Sequence, residues 1–95
     1  MSPAQRQEFV TKAEEIIQMA RTTCVPVLDR KPTVNEAEQM ILSNYNTIGM
    51  LMTGFLNAAA ASLPLQEEIR ELAHTIMDVN FDLAGLIAHE KAKSI

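Results

Sequence analysis

The apolar residues of this chain recur at intervals of three and four along three segments, which is the spacing of one face of an α-helix. The first segment runs over residues 3–23. Ser2 and Gln5 have the form of a capping box, and Pro3 takes the first helical position. Its apolar stripe consists of Phe9, Ala13, Ile16, Ile17 and Ala20. The pattern predicts an amphipathic helix that packs one face on the rest of the protein.

The second segment covers residues 34–62 and starts after a capping box formed by Thr33 and Glu36. A helical projection places a wide apolar arc on it: Ala37, Met40, Ile41, Tyr45, Ile48, Leu51, Met52, Phe55 and Leu56. So broad an arc predicts a helix buried on more than one side. Gly49 and Gly54 each cost roughly 1 kcal/mol relative to Ala inside a helix, which indicates a close neighbouring backbone.

The third segment spans residues 65–93 and follows a short connection. Its stripe consists of Ile69, Leu72, Ala73, Ile76, Leu83 and Ile87. Two helices of matched length with a short link predict an antiparallel hairpin, and the shorter first helix covers one side of it. The sequence therefore predicts an all-α protein: a three-helix bundle forming a single domain over residues 1–95.

Residues 25–32 separate the first two helices and contain two prolines. An apolar stretch around a proline is extended, so we expect an extended crossover here. In one interpretation Val27 and Leu28 cover the end of the bundle. In the other they contact a second subunit or a partner protein.

The most unusual feature is the absence of any charged residue from position 39 to position 66. A 95-residue chain builds a modest core, and its one cysteine, Cys24, cannot form an internal disulfide. Association, most simply as a homodimer, is the natural supplement. A membrane span is disfavoured because several Asn and Thr residues interrupt the run and no basic residues flank it.

Asn44 lies close to the apolar arc, between Ile41 and Ile48. A buried asparagine lowers stability unless it is paired, and such residues can fix the register of an oligomer. We therefore consider a pairing of Asn44 with the same residue of a second subunit.

The net charge of −4 disfavours nucleic acid as a partner, because nucleic-acid-binding surfaces are rich in Lys and Arg. The lone cysteine and the lack of a recognisable export signal predict a cytoplasmic protein.

The best candidate for chemistry is the pair Glu71 and His74, a Glu-x-x-His motif of the type that binds metal in di-iron bundles. The helical projection, however, places it on an outward acidic face together with Glu67, Asp78 and Asp82. His89 is expected on the same face, and Cys24 has no histidine near it in sequence to act as a base. We therefore predict no catalytic site, no metal site and no cofactor, and a protein that is not an enzyme.

The expected interface consists of Tyr45, Ile48, Met50, Met52, Phe55 and Leu56, together with Val27 and Leu28. Met50 and Met52 are two residues apart and so face different sides of the helix. The sequence favours a small regulatory protein that binds, and for example inhibits, a larger protein. The alternatives are a self-assembling structural subunit and a metal-binding bundle that uses carboxylates and histidines.

Overall fold

A computed structural model describes residues 2–23 and 30–93. It contains three helices: α1 (Pro3–Thr23), α2 (Val34–Ala59) and α3 (Leu63–Lys93). No strand occurs within these two ranges. The predicted all-α three-helix fold is confirmed. Val27 and Leu28, and with them the predicted extended crossover, lie outside the described residues, as does Cys24.

Both predicted capping boxes are present. The hydroxyl of Thr33 accepts from the Glu36 backbone N–H at 3.2 Å, while the Glu36 carboxylate accepts from the Thr33 N–H at 3.1 Å. Ser2 and Gln5 exchange the same two hydrogen bonds at 3.2 and 2.9 Å. These bonds satisfy backbone donors that the first turn of a helix leaves unpaired, and so they fix where α1 and α2 begin.

The link between α2 and α3 lies slightly earlier in the chain than predicted. Helix α2 ends at Ala59 rather than at residue 62, and α3 begins at Leu63 rather than at residue 65. The reason is that Ser62 acts as a helix cap: its hydroxyl accepts from the Leu65 N–H at 3.4 Å. Its backbone N–H meanwhile donates to the Ala58 carbonyl at 2.7 Å, closing the end of α2.

The core lies where the three helices meet. It consists of Ala13, Ile17, Ala20, Leu51, Ala58, Ile69 and Ile76, with Ile16, Phe55 and Leu72 among the residues packed against it. The predicted stripes of α1 and α3 therefore face inward as expected. Helix α1 packs chiefly on α2, where a Cβ on Gly54 would lie 3.0 Å from Cγ2 of Ile16. A close neighbour is therefore present at Gly54, but it is the side chain of Ile16 and not the neighbouring backbone that was predicted.

The buried face of α2 differs from the predicted apolar arc. Its buried residues are Ala37, Asn44, Thr47, Leu51, Gly54 and Ala58, and only two of these belong to the arc. The neighbouring helices pack on the side of α2 that carries small and polar residues, which leaves Tyr45, Met52 and Leu56 largely outside. The prediction for Gly49 is wrong within the chain, because a Cβ there would meet no atom within 4 Å.

The register of the α2–α3 hairpin is fixed by contacts along its length. Asn44 bonds to Asn80 near the middle, and the Arg70 guanidinium lies 5.7 Å from the centre of the Phe55 ring. Ion pairs join the two helices where α2 begins and α3 ends, including Lys91 with Glu38 at 3.5 Å. The whole molecule is a rod of 61 × 18 × 16 Å.

Candidate protein-binding groove

An apolar groove, called here the open groove, runs between α2 and α3 on the side that α1 does not cover. It consists of two adjoining cavities of about 240 and 310 Å³, which share Ile48 and Met77. The α2 side is formed by Ile41, Tyr45, Ile48, Met52 and Phe55, and the α3 side by Ala73, Met77, Phe81 and Ala84. Polar groups are few: Asn80 lies in one cavity, and Arg70 and His74 line the other.

Two rows of exposed side chains follow the groove. The α2 ridge consists of Leu42, Tyr45, Gly49, Met52 and Leu56, at intervals of three and four residues. The α3 ridge has the same spacing and consists of Leu63, Glu67, Arg70, His74, Met77, Phe81, Ala84 and Ala88. Five of these side chains are large, apolar and strongly exposed: Tyr45 by 72%, Met52 by 60%, Leu56 by 70%, Leu63 by 71% and Phe81 by 73%. A helical residue of this size turned so fully to water is normally covered by a neighbour.

The size of the patch can be estimated from its six large apolar residues, namely Leu42, Tyr45, Met52, Leu56, Met77 and Phe81. With roughly 200 Å² for a fully exposed large side chain, their fractional exposures amount to about 700 Å². The largest apolar patch of a typical monomer covers about 300–600 Å² and is itself often functional. The patch beside the open groove therefore exceeds what a monomer normally leaves in water.

The groove is open because the described residues supply only one helix, α1, with which to cover a two-sided hairpin. Helix α1 occupies the other side, held by the Gly54–Ile16 contact and by an ion pair of 2.6 Å between Arg21 and Glu68. Outside the three helices, no described segment is long enough to lie over the open groove.

The residues predicted to form the interface fall into three groups. Tyr45, Ile48, Met52 and Phe55 line the open groove, and Leu56 lies one turn beyond Met52 on the α2 ridge. Met50 is half-buried and does not line the groove. Val27 and Leu28 belong to the part of the chain that the structure does not describe.

Asn44 finds its partner within the chain. It is 1% exposed, and its side-chain amide donates to Oδ1 of Asn80 at 3.0 Å. The amide of Asn80 in turn donates to the Ile41 carbonyl at 3.3 Å. The interpretation that Asn44 pairs with its copy in a second subunit is therefore not needed to satisfy this buried group.

Three residues of the patch, Leu42, Met77 and Phe81, were not predicted from the sequence to lie at the interface. The signal for Phe81 is a second row of uncharged residues beside the buried stripe of α3: Met77, Phe81, Ala84 and Ala88, at intervals of four, three and four. The signal for Leu42 is the matching interval of three to Tyr45. Both were obscured because the buried stripes are stronger.

The predicted acidic face of α3 is exposed. Glu67, Glu71, His74, Asp78 and Asp82 all lie on the surface, as does His89. Within residues 2–23 and 30–93 no three His, Cys, Asp or Glu side chains are grouped closely enough to hold a metal ion. This arrangement offers no chemistry beyond a solvated charged surface.

The strongest electrostatic effects lie at the end of the hairpin where α2 begins. Hydrogen bonds from Arg30, and next from the Thr33 backbone, lower the pKa of Glu36 to about 2. A hydrogen bond from Lys31 likewise lowers the pKa of Glu90. The ends of the hairpin are thus charged, whereas the ridges beside the groove carry only Glu67, its ion-pair partner Arg70 at 3.8 Å, and His74. The walls of the groove are therefore chiefly apolar.

Neither protein-family models, nor curated protein sequences, nor solved structures gave a match to this chain. Among the described helices, none has the length and apolarity needed to cross a lipid bilayer.

Proposed function

We propose that this chain is a protein-binding regulatory protein that receives a helix of another polypeptide in the open groove. The observation that carries the proposal is the apolar patch of about 700 Å² along the groove, which lies near the roughly 800 Å² that each partner contributes to a standard protein interface. A groove between two helices accepts an amphipathic helix whose apolar residues follow intervals of three and four.

The side chains beside the groove suit this role. Tyr45 and Phe81 supply large rigid contact surfaces, a type of residue that dominates binding energy at interfaces. Met52 and Met77 are flexible and adapt to the shape of a bound helix. Arg70, already over the ring of Phe55, places the one fixed charge of the groove at its end. Affinity would come from the apolar residues, and orientation from this charge.

A partner helix held in this groove is withdrawn from its other contacts, so the simplest regulatory outcome is inhibition of the partner. We place this binding in the cytoplasm, since a chain with one cysteine has no internal disulfide to protect it in an oxidising compartment.

The test uses substitutions that differ only in whether they fall on the α2 ridge. Met52→Lys and Leu56→Lys place a charge among the apolar residues, whereas Thr53→Lys adds the same charge one residue away on an exposed position outside the ridge. Tagged versions of all three and of the unchanged chain are used to capture proteins from lysate of the native host. Circular dichroism on each variant checks that the helices persist.

We expect a specific partner to be retained by the unchanged chain and by Thr53→Lys, and to be lost from Met52→Lys and Leu56→Lys. A charge buried in an apolar interface without a partner costs several kcal/mol, enough to abolish binding of ordinary strength. Equal capture by all four proteins would refute the proposal. Loss of helical signal in the two ridge variants would refute it as well, because these residues would then belong to the internal core.

A further inference from the structure

The exposed residues of the α2 ridge are arranged symmetrically about Gly49. Leu42 and Leu56 each lie seven residues from it, and Tyr45 and Met52 lie four before and three after. The intervals are those of a helix that packs along another helix in the manner of a coiled coil. Two copies of such a ridge match each other when they run antiparallel, because Leu42 of one then meets Leu56 of the other.

The α3 ridge has its own centre of symmetry. Arg70 and Phe81 are equally far from the midpoint between residues 75 and 76, as are His74 and Met77. Leu63 and Ala88 share the same midpoint, because the residue numbers of each pair add up to 151.

The two centres lie at the same level of the hairpin. Asn44 faces Asn80 and Phe55 faces Arg70, so between these two contacts the numbers of facing residues add up to 124 or 125. Gly49 therefore lies across from residues 75 and 76, the midpoint of the α3 ridge. One line across the hairpin passes through both centres, which is the condition for a two-fold axis that relates two copies of the whole face.

Among residues 2–23 and 30–93, no neighbouring atom requires a glycine at position 49. Gly49 is exposed in the middle of α2, a Cβ there would meet nothing within 4 Å, and it costs the helix about 1 kcal/mol relative to Ala. A glycine is needed where another backbone comes very close, and two helices that cross come closest at their crossing point. Its position at the centre of the α2 ridge is where that crossing would fall.

From these observations we infer that the open groove is covered by the same face of a second copy of this chain, with the two α2 helices antiparallel and crossing at Gly49. The inference rests on the proposed function and names the partner of the same site. The four helices of two hairpins would form an antiparallel four-helix core, with one α1 on each outer side.

Charge and area both permit this pairing. Helix α2 carries no charge after Glu38, so two copies of its ridge meet without repulsion although the chain has a net charge of −4. On α3, Arg70 would lie across from Phe81, His74 across from Met77 and Glu67 across from Ala84, so none of these ridge charges faces a like charge. Each copy would cover about 700 Å² of apolar side chain, near the roughly 800 Å² a side of a standard stable interface.

Sedimentation equilibrium over a wide range of protein concentration tests the inference with the full chain, Gly49→Gln and Gly85→Gln. The two glycines make a matched pair, because both are exposed in helices and neither has an atom within 4 Å of its would-be Cβ. Gly85 lies at the edge of the α3 ridge, more than nine residues from its midpoint and therefore away from the crossing point. Both variants should raise the thermal stability of the monomer, since glutamine is a better helix former than glycine.

We expect the unchanged chain and Gly85→Gln to dimerise with similar affinity, and Gly49→Gln to dimerise at least about tenfold more weakly because its side chain holds the helices apart. A chain that stays monomeric at every accessible concentration would overturn the inference. Equal affinities of the two variants would overturn the crossing at Gly49.

Cross-linking tests the two-fold arrangement directly. In a Cys24→Ser background, Gly49→Cys should form a disulfide between two copies under mild oxidation, because the two residues lie at the crossing point. Leu42→Cys should not, because in the antiparallel arrangement its two copies lie about 21 Å apart along the helix, far beyond the roughly 7 Å limit for a disulfide. Linkage at both positions, or at neither, contradicts the antiparallel crossing.

Failure of this inference is distinguishable from failure of the proposed function. A monomeric chain that still captures a protein lost from Met52→Lys refutes self-pairing and leaves the binding function in place. A monomeric chain that captures nothing refutes both.

Discussion

The hydrogen-bonded pair of Asn44 and Asn80 permits a prediction about stability in which two similar substitutions have unequal effects. Asn44 is almost completely buried, whereas Asn80 is half-buried beside the open groove. Replacing either by leucine, which is similar in size, removes the 3.0 Å bond between them and leaves one group without its partner. The cost depends on how far that remaining group is from water.

The magnitudes follow from which residue is left alone. Asn80→Leu leaves the buried amide of Asn44 without its acceptor, for which we expect about 2–3 kcal/mol of destabilisation. Asn44→Leu leaves Oδ1 of Asn80 without its donor, but water can reach this atom from the groove, so we expect only about 1 kcal/mol of destabilisation. Replacing both leaves neither group unsatisfied and should be close to neutral. The coupling between the two sites is then at least about 2 kcal/mol.

Urea denaturation of the four proteins measures these differences. For a domain of this size a change of 2 kcal/mol moves the midpoint by about 1.3–2 M, given a slope near 1–1.5 kcal/mol per M. All samples must have one protein concentration, because self-association would make the apparent stability depend on it. Additive effects of the two single changes, or a larger loss from Asn44→Leu than from Asn80→Leu, would contradict the described hydrogen bonding.

Two further predictions concern the fold. Gly54→Ala should destabilise the protein despite the better helix propensity of alanine, because the new methyl group would lie 3.0 Å from Cγ2 of Ile16, a stiff branched side chain. Thermal unfolding should show a lower midpoint for this variant. Adding Ile16→Ala to the same chain should relieve part of the loss. Arg30 and Thr33 hold the pKa of Glu36 at about 2, below its ordinary value of 4.5. The ionised Glu36 therefore contributes fully to stability above pH 4.5, and this contribution is lost as the pH falls through 2. NMR titration of the Glu36 carboxyl should show this low value in the unchanged chain and a higher one in Arg30→Ala, and identical titrations would refute the role of Arg30.

Features that depend on neighbouring residues in sequence could be predicted well. The capping boxes at Ser2 and Thr33 involve residues three apart, and the stripes of α1 and α3 follow helical geometry alone. The end of α2 was placed too late because Ser62 is suited both to the last turn of one helix and to the cap of the next. Only the hydrogen bonds of its hydroxyl and backbone N–H settle which role it takes.

The buried face of α2 could not be predicted in the same way. A helical projection finds the apolar side of a helix but does not show which part of it the neighbours cover. Thr47 is buried although it is polar, because its hydroxyl donates to the Ser43 carbonyl of its own helix at 3.1 Å and so needs no outside partner. Gly54 is buried because, having no side chain, it lets Ile16 of α1 pack against it. Tyr45 and Met52, the larger residues, are left outside.

The partner of Asn44 required knowledge of the register between α2 and α3. Asn80 is the one asparagine of α3 and lies between its buried and exposed apolar rows. Two asparagines on facing helices of a hairpin can pair with each other. Their positions in the sequence show that they face each other only once the link between the helices is located to within one helical turn.

The rod shape of the chain has a hydrodynamic consequence. Its radius of gyration is 16.4 Å, whereas a compact chain of this length would have one of about 12 Å. The single chain should therefore diffuse slowly and elute early from a sizing column, as a heavier globular protein does. Two such rods lying side by side along the open groove would double the mass and the thickness without adding length. Association would thus lower the frictional ratio, whereas end-to-end assembly would raise it.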